Sequence, residues 1–353
     1  VTSAPALSIP TLISPSTANV VPRLEGVSDQ QLALAFQSAR QVARHRARNF
    51  YYGLRLTPEP RRSAVFAIYA WMRFGDDRVD DTRHIADKRL ELDSFRVATE
   101  SILTAEPPPG SPMWLALAAT LRSYPIDHAH IRAMIDGLEE DIHHAGYQTI
   151  EDLERYCFRV ASTVGLVCVS IWGFRNGANL TDCRTATALS ERRGKAFQLT
   201  NILRDFAEDF DDDHPRIYIP RDTFERHRLS PQDLRAWREP ARCEALVLDL
   251  ANRAKDHYTA SAPLDQLIDP GCRSTLWAMT RIYEGLLDLI IASPDRLVRG
   301  GRIRLSSMTK ASIAAAAFLR NGLDWWPAGP VSPSINADSG STHPDASHPE
   351  ARA

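Results

Sequence analysis

From residue 27 to residue 326 the apolar side chains recur at steps of three and four, and this period constrains the fold more than any other feature of the chain. One stripe runs Ala64–Phe66–Ala67–Ala70–Trp71–Phe74, and a second Leu153–Cys157–Val160–Val164–Val167–Cys168–Ile171. Two more run Ala196–Leu199–Ile202–Leu203–Phe206 and Ala245–Leu246–Leu248–Ala251. Residues so spaced share one side of a helix and give it a face to bury. Alternating strand patterns between turn pairs are nearly missing, and prolines break the helices at Pro58–Pro60, Pro107–Pro109, Pro215 and Pro294. The pattern predicts an all-α chain with long helices around one core.

The periodic region has proline-rich flanks. Residues 1–26 carry four prolines and no charge before Arg23, and residues 327–353 carry five prolines among Ser, Ala, Asp and His. Both read as disordered, a leader and a tail around one domain at 27–326. No apolar run reaches the ~18 residues of a spanning helix. Val164 to Phe174 and Ala311 to Leu319 come nearest and are shorter. The expectation is a cytoplasmic protein whose contact with a membrane is at most peripheral. Its 42 Lys and Arg against 44 Asp and Glu leave no basic excess for a nucleic-acid backbone. The five cysteines are scattered without a CxxC pair, as in a reduced chain.

That near balance hides two concentrations of negative charge. Asp76, Asp77, Asp80 and Asp81 end the helix that starts near residue 61. Asp205, Glu208 and Asp209, followed by Asp211 to Asp213, end another. Asp76 and Asp80 are four apart, as are Asp205 and Asp209, so each pair projects from one helix face. At ~6 Å and an effective dielectric of ~20, such a pair repels by roughly 3 kcal/mol before relaxation. A hard dication between the carboxylates reverses that sign, and Mg²⁺ (or Mn²⁺) takes one or two carboxylates and fills its octahedron with water and phosphate oxygens. An acidic run alone is usually a solvated face. Here each pair continues an apolar stripe, Arg73 and Arg204 stand beside the carboxylates, and Gln198 and Asn201 share the Asp205 face. Carboxylate pairs with guanidinium groups among them suit a metal–diphosphate site.

Four blocks carry a resemblance: "YAWMRFGDDRVDD" (69–81), "YCFRVASTVG" (156–165), "AFQLTNILRDFAED" (196–209) and "RIYIP" (216–220). In this order, within about Ala47 to Arg304, the chain resembles the squalene/phytoene synthase family of head-to-head prenyl transferases. The resemblance implies a single-domain isoprenoid-synthase helical bundle around a central cavity, with the two acidic motifs facing across it. It implies Mg²⁺ ligands at Asp76, Asp80, Asp205 and Asp209. Arg73, Arg204, Tyr69, Asn201 and Gln198 would line the diphosphate end, with Tyr283 and Arg302 (or Arg304) added late in the chain. Asn49 and Phe50 stand where many members have Ser-Phe.

The implied chemistry joins two prenyl diphosphates, farnesyl or geranylgeranyl, through a cyclopropylcarbinyl diphosphate to a 1-1′ linked C30 or C40 product. NADPH enters only if that product is squalene, and no GxGxxG offers it a Rossmann site. Tyr156 is either beside the reacting carbons or a packing tyrosine. Val160, Ala161, Val164 and Gly165 are either a tunnel wall or close helix packing. Arg78 is expected to point outward toward Asp77 and Asp81, and Asp211 to Asp213 to be solvated. His143–His144 and His128/His130 lack a third ligand at zinc spacing. Two other readings stay open: a non-catalytic relative that assembles or binds, and a terpene cyclase or head-to-tail transferase on the same fold. The intact acidic pairs argue against the first. Asn201–Arg204–Asp205 and "RIYIP" argue against the second.

Overall fold

The computed structural model describes residues 21–47, 51, 53–80, 84–104 and 111–320, with the backbone alone at 79 and 80. The first part of the bundle is α1 (Asp29–Arg46), α2 (Arg61–Asp80), α3 (Ile85–Thr104), α4 (Pro112–Ser123) and α5 (His128–Ile142). Next come α6 (Ile150–Cys157), a π-helical turn (Phe158–Ser162), α7 (Thr163–Trp172) and the 31-residue α8 (Leu180–Phe210). The chain closes with α9 (Arg221–His227), α10 (Pro231–Ala236), α11 (Pro240–Ser261), α12 (Leu264–Leu267), α13 (Pro270–Ala292), a 3₁₀ turn (Pro294–Leu297) and α14 (Ser307–Arg320). Among the described residues the β structure is one antiparallel bridge, Phe174 to Ile268. The all-α expectation holds.

Local chemistry sets the helix starts. Ser28 with Gln31, Thr149 with Asp152, Asn179 with Asp182 and Ser230 with Asp233 each form a capping box. Pro112, Pro231, Pro240 and Pro270 occupy first turns, where a missing N–H costs nothing. Gly173 leaves α7 at φ +75°, a conformation that a β-carbon disfavours.

Two hydrophobic clusters fill the bundle. One gathers α1 to α5 with α7 and α12, and the other gathers α6, α8 to α11 and most of α13, with Phe197 packed against both. Leu24 is buried in the first cluster, so packed chain begins a few residues ahead of position 27. Residues 1–20 and the expected tail lie outside the described residues. No described helix is long and apolar enough to cross a membrane.

The stripes at 64–71 and 196–206 are buried as their spacing predicts. Two others differ. In α11 the buried side is Cys243, Leu246, Val247, Leu250, Ala251 and Ala254, while Ala245 is exposed, so the face is rotated from the one expected. The 153–171 stripe is not one helix, because the π-helical turn at Phe158–Ser162 interrupts it just after Tyr156. Gly194 of α8 approaches this turn so closely that a β-carbon there would lie 2.6 Å from Ser162 N and 2.9 Å from Ala161 C. Arg193 beside it is buried and ties α8 to α11 and α13, donating to Ser261 Oγ (2.7 Å) and Ser261 O (2.9 Å) and to the Thr280 hydroxyl. Gly194→Ala is therefore expected to cost about 1–3 kcal/mol of unfolding free energy, because backbone must move to admit the methyl. Denaturant unfolding of the two proteins measures it.

Candidate active site

The C-terminal half of α8 carries the second acidic motif, and its neighbours converge on it. Arg204 forks onto the adjacent Asp205, with contacts of 2.8 and 2.5 Å. Arg302, from the segment after the 3₁₀ turn, forks onto the same carboxylate at 2.8 and 2.8 Å. Asp205 thus accepts from two guanidinium groups, the geometry that makes such pairs strong. Burial works against the Arg204 charge, yet Asp205 and Tyr283 outweigh it and raise its pKa. Tyr283 of α13 is buried, hydrogen-bonds Arg204 and Asn201, and packs on Phe197 with ring centroids 4.7 Å apart. Burial pushes its phenol up to about 12.

Asp209, one turn beyond Asp205, is less well compensated. Its nearest cation is Arg216 at 3.8 Å, whose backbone N–H also donates to Asp209 O (2.9 Å). Burial pushes the Asp209 carboxyl up to about 7; Arg216 opposes this, and Asp205, Glu208 and Asp141 reinforce it. Asn201 reaches Gln198 Oε1 through its amide nitrogen (3.4 Å), while its buried Oδ1 has no partner.

The first motif is arranged around arginines from two helices. Arg73 contacts Asp77 and lies 3.8 Å from Asp76, and Arg46 at the end of α1 also contacts Asp77. Tyr69 is half-buried beside them, and burial raises its phenol to about 12. Arg78 pairs with Glu91 of α3 and covers the Phe74 ring at 4.5 Å rather than pairing with Asp77, while Asp81, its other expected partner, lies outside the described residues. Asn49, Phe50 and the side chain of Asp80 lie outside the described residues. Among the described residues no three metal-binding side chains stand together. Asp211 is exposed and held by Arg235 at 2.5 Å, and Asp212 is exposed as well.

The central helix places the remaining candidates. Val160 Cγ1 sits over Gly137 of α5, and Gly165 faces Ser190 of α8. Both therefore make close helix contacts, and Val160, Ala161, Val164 and Gly165 all keep some accessible surface. Tyr156 is buried and its hydroxyl donates to Asp141 Oδ2 at 3.0 Å. Tyr218, from the "RIYIP" segment, donates to Asp141 Oδ1, also at 3.0 Å. Asp141, Arg216 and Tyr218 were not singled out from the sequence. The order of "RIYIP" after the second motif was the available signal, since a segment returning over Asp209 must bring its own polar groups.

Carboxylates interleaved with arginines at the end of a helical bundle, beside a buried acceptor without a partner, are chemically suited to a charged phosphate group. A family model described as squalene/phytoene synthase matches residues 43–309, and the chain belongs to that family. It is 37% identical over 318 residues to a phytoene synthase of Mycobacterium tuberculosis, covering 89% of this chain and 99% of that one. It is 33% identical over 264 residues to a 15-cis-phytoene synthase of Synechocystis, covering 73% and 77%. Among solved structures a dehydrosqualene synthase shares the fold with a TM-score of 0.72 at 24% identity, covering 82% of this chain and 97% of that one. A squalene synthase from Alicyclobacillus acidocaldarius does so with 0.66 at 24%, covering 74% and 95%. The protein is an enzyme, a prenyltransferase of the squalene/phytoene synthase type that condenses prenyl diphosphates head to head.

The raised Asp209 carboxyl has a measurable consequence. A carboxyl with a raised pKa holds its proton more tightly folded than unfolded, so its contribution to stability falls as pH climbs from about 4 to about 7. The metal-free protein should lose stability over that window, and Asp209→Asn should flatten the loss. Thermal melts of both proteins from pH 4 to 8 check it.

Proposed function

We propose that the enzyme condenses two molecules of geranylgeranyl diphosphate to phytoene with Mg²⁺ (or Mn²⁺), through a cyclopropylcarbinyl diphosphate. The C40 assignment is supported by the Mycobacterium tuberculosis phytoene synthase that the chain resembles along nearly its full length. The metal reading is supported by an Asp209 carboxyl driven toward its neutral form and by the open Asn201 Oδ1, both of which a dication or its bound water would satisfy. Asp205 and Asp209, with Asp76 and Asp80 from the first motif, are the residues to hold it. When bound, Mg²⁺ would neutralise the charge of the departing diphosphate.

The chain's own groups supply the rest. Arg204 and Arg302 bring two guanidinium forks to one corner of the site, and Arg73 with Tyr69 brings a cation and a phenol to the other. These donors stabilise the diphosphate as its bond to the allylic carbon breaks. The second prenyl chain attacks the cation through its double bond, and proton loss closes the three-membered ring. A second ionisation and rearrangement give the 1-1′ linked product. The stretch from α6 through the π-helical turn to α7 offers apolar surface against which a long chain can lie and carbocations stay away from water. A hydrocarbon product favours release at a membrane, which makes peripheral contact there part of this reading. The observation that carries the proposal is the double arginine fork on Asp205 beside the under-compensated Asp209.

Asp205 is fully engaged by Arg204 and Arg302, so a metal there competes with a guanidinium. Arg302→Gln should tighten Mg²⁺ binding to the free protein about fivefold, equivalent to ~1 kcal/mol, by calorimetry. It should also raise KM for the diphosphate substrate. Asp76→Asn and Asp209→Asn should each cut turnover at least ~100-fold with helical circular dichroism unchanged. Product analysis with C15 and C20 diphosphates, with and without NADPH, tests the substrate. Phytoene from the C20 substrate without NADPH is the expected result; squalene requiring NADPH from the C15 substrate replaces it with the C30 alternative, and head-to-tail or cyclic products alone reject it.

A further inference from the structure

Asp295 is the last acidic residue before Asp324, and between them the chain carries six cations: Arg296, Arg299, Arg302, Arg304, Lys310 and Arg320. In a protein whose 42 Lys and Arg nearly balance 44 Asp and Glu, this strip is a local basic excess. Arg302 is taken by Asp205, Arg299 pairs with Asp295 at 3.3 Å, and Arg320 covers the Trp277 ring at 4.5 Å. Among the described residues Arg296, Arg304 and Lys310 have no ion-pair partner, and Arg304 acts on Lys310 as a like charge. The strip runs on into α14, which is apolar on two sides. Ile313, Ala316 and Ala317 pack with Trp277, Ala278 and Leu56. On the other side Met308, Ala311, Ala315, Phe318 and Leu319 recur at steps of three and four, and all are exposed. Met308 is 83% exposed, Leu319 72% and Phe318 69%, among the highest values for large apolar side chains in the described residues. A helix apolar on both sides has a partner on both. Val97 and Leu90 of α3 are comparably exposed, at 70% and 66%, but α3 intersperses Asp87, Glu91, Asp93 and Glu100 among them.

We propose that the outer face of α14, flanked by Arg296, Arg304 and Lys310, docks the enzyme on an anionic lipid bilayer. This deepens the peripheral contact in the reaction proposed above and rests on that reading for its purpose, since a hydrocarbon product has to leave into lipid. The helix lies in the plane of the interface: its 14 residues are too few to span, and no described helix is long and apolar enough to cross. Met308, Phe318 and Leu319 enter the acyl boundary while the cations stay among the headgroups, as in other interfacial amphipathic helices. Lys310 is half-buried, so its stem lies along apolar surface and leaves the ammonium to reach a headgroup phosphate. The sequence goes on to Trp325 and Trp326, a residue type that settles at headgroup depth. Charge selects the occupant. A second copy related by a two-fold axis would bring the basic strip against itself, whereas anionic headgroups answer it. Arg296 and Arg304 also line a cleft of about 640 Å³ that reaches Arg204 and Arg302, so the strip joins the second acidic motif to the docking helix.

The test sediments the full chain with vesicles of phosphatidylcholine, alone or mixed with an equal part of phosphatidylglycerol. The wild type should pellet with the mixed vesicles and stay in solution with the neutral ones. Phe318→Ser combined with Leu319→Ser should weaken binding about tenfold or more, because two apolar side chains no longer enter lipid. Arg296→Gln combined with Lys310→Gln should weaken it about tenfold at low salt and little at high salt, where the surface potential is screened. The serine variant should keep wild-type turnover on detergent-dispersed diphosphate substrate; should it fail to fold, the glutamine variant carries the test. No binding by the wild type, binding that ignores lipid charge, or a serine variant that binds like the wild type overturns the proposal. A wild-type dimer that the serine variant turns into a monomer gives the face to a second copy and overturns it too. Product analysis in detergent, without vesicles, reports on the head-to-head reading alone. A chain that makes the 1-1′ product and ignores vesicles loses only the docking surface, and one that binds vesicles without making that product loses only the reaction.

Discussion

Asp205 and Asp209 sit one helical turn apart at the end of α8, and two carboxylates that close in partly dry surroundings repel unless cations answer them. Much of the site's architecture follows from that need. Arg204 answers from within the helix and Arg302 from the segment after the 3₁₀ turn, so one carboxylate ties the end of α8 to the segment that leads into α14. Arg216 answers Asp209 from the returning loop, and its distance of 3.8 Å leaves that carboxylate under-compensated. On the metal reading proposed above, that imbalance has a chemical use. A perfectly neutralised pair would have little affinity for a dication, whereas a carboxylate pushed toward protonation gains by meeting one.

The same loop serves two tasks. Arg216 faces the acidic motif, and two residues later Tyr218 faces Asp141. One short segment therefore links the charged end of the site to the two tyrosines on Asp141. The π-helical turn directly after Tyr156 is part of the same arrangement, because an extra residue in a helix shifts the facing of everything that follows. Gly194 lets α8 come close enough to hold that turn in place. Backbone contact between α8 and the turn thus fixes where the residues around Tyr156 lie.

Much of this was legible in the chain. The i, i+3, i+4 stripes gave the all-α class, and the spacing of Asp205 and Asp209 placed both carboxylates on one face of α8. Arg204 and, of the two late arginines, Arg302 both reach Asp205, while Asn201 meets Gln198 and Tyr283. Other readings failed for identifiable reasons. Arg78 is close to Asp77 in sequence, yet Glu91 on a neighbouring helix and the Phe74 ring offer it a better seat. The buried face of α11 is turned from the predicted one, because a short run with several apolar residues fits more than one helical face. Asp141 carries no local signal, standing at a helix end among Glu139, Glu140 and two histidines.

The sequence by itself determined what depends on neighbours along the chain: helices from apolar period, their starts from capping residues and prolines, and carboxylate pairs from four-residue spacing. Those are short-range effects, set by the geometry of one helix and the chemistry of a few adjacent side chains. Only the tertiary structure decided which guanidinium meets which carboxylate, that Tyr156 and Tyr218 share Asp141, and that α8 touches the turn after Tyr156 at Gly194. The pairs Tyr156–Asp141, Tyr218–Asp141 and Arg302–Asp205 join residues 15 to 97 positions apart. Such pairings are chosen by the packing of whole helices, which brings distant groups within reach and leaves each buried charge to find its partner there.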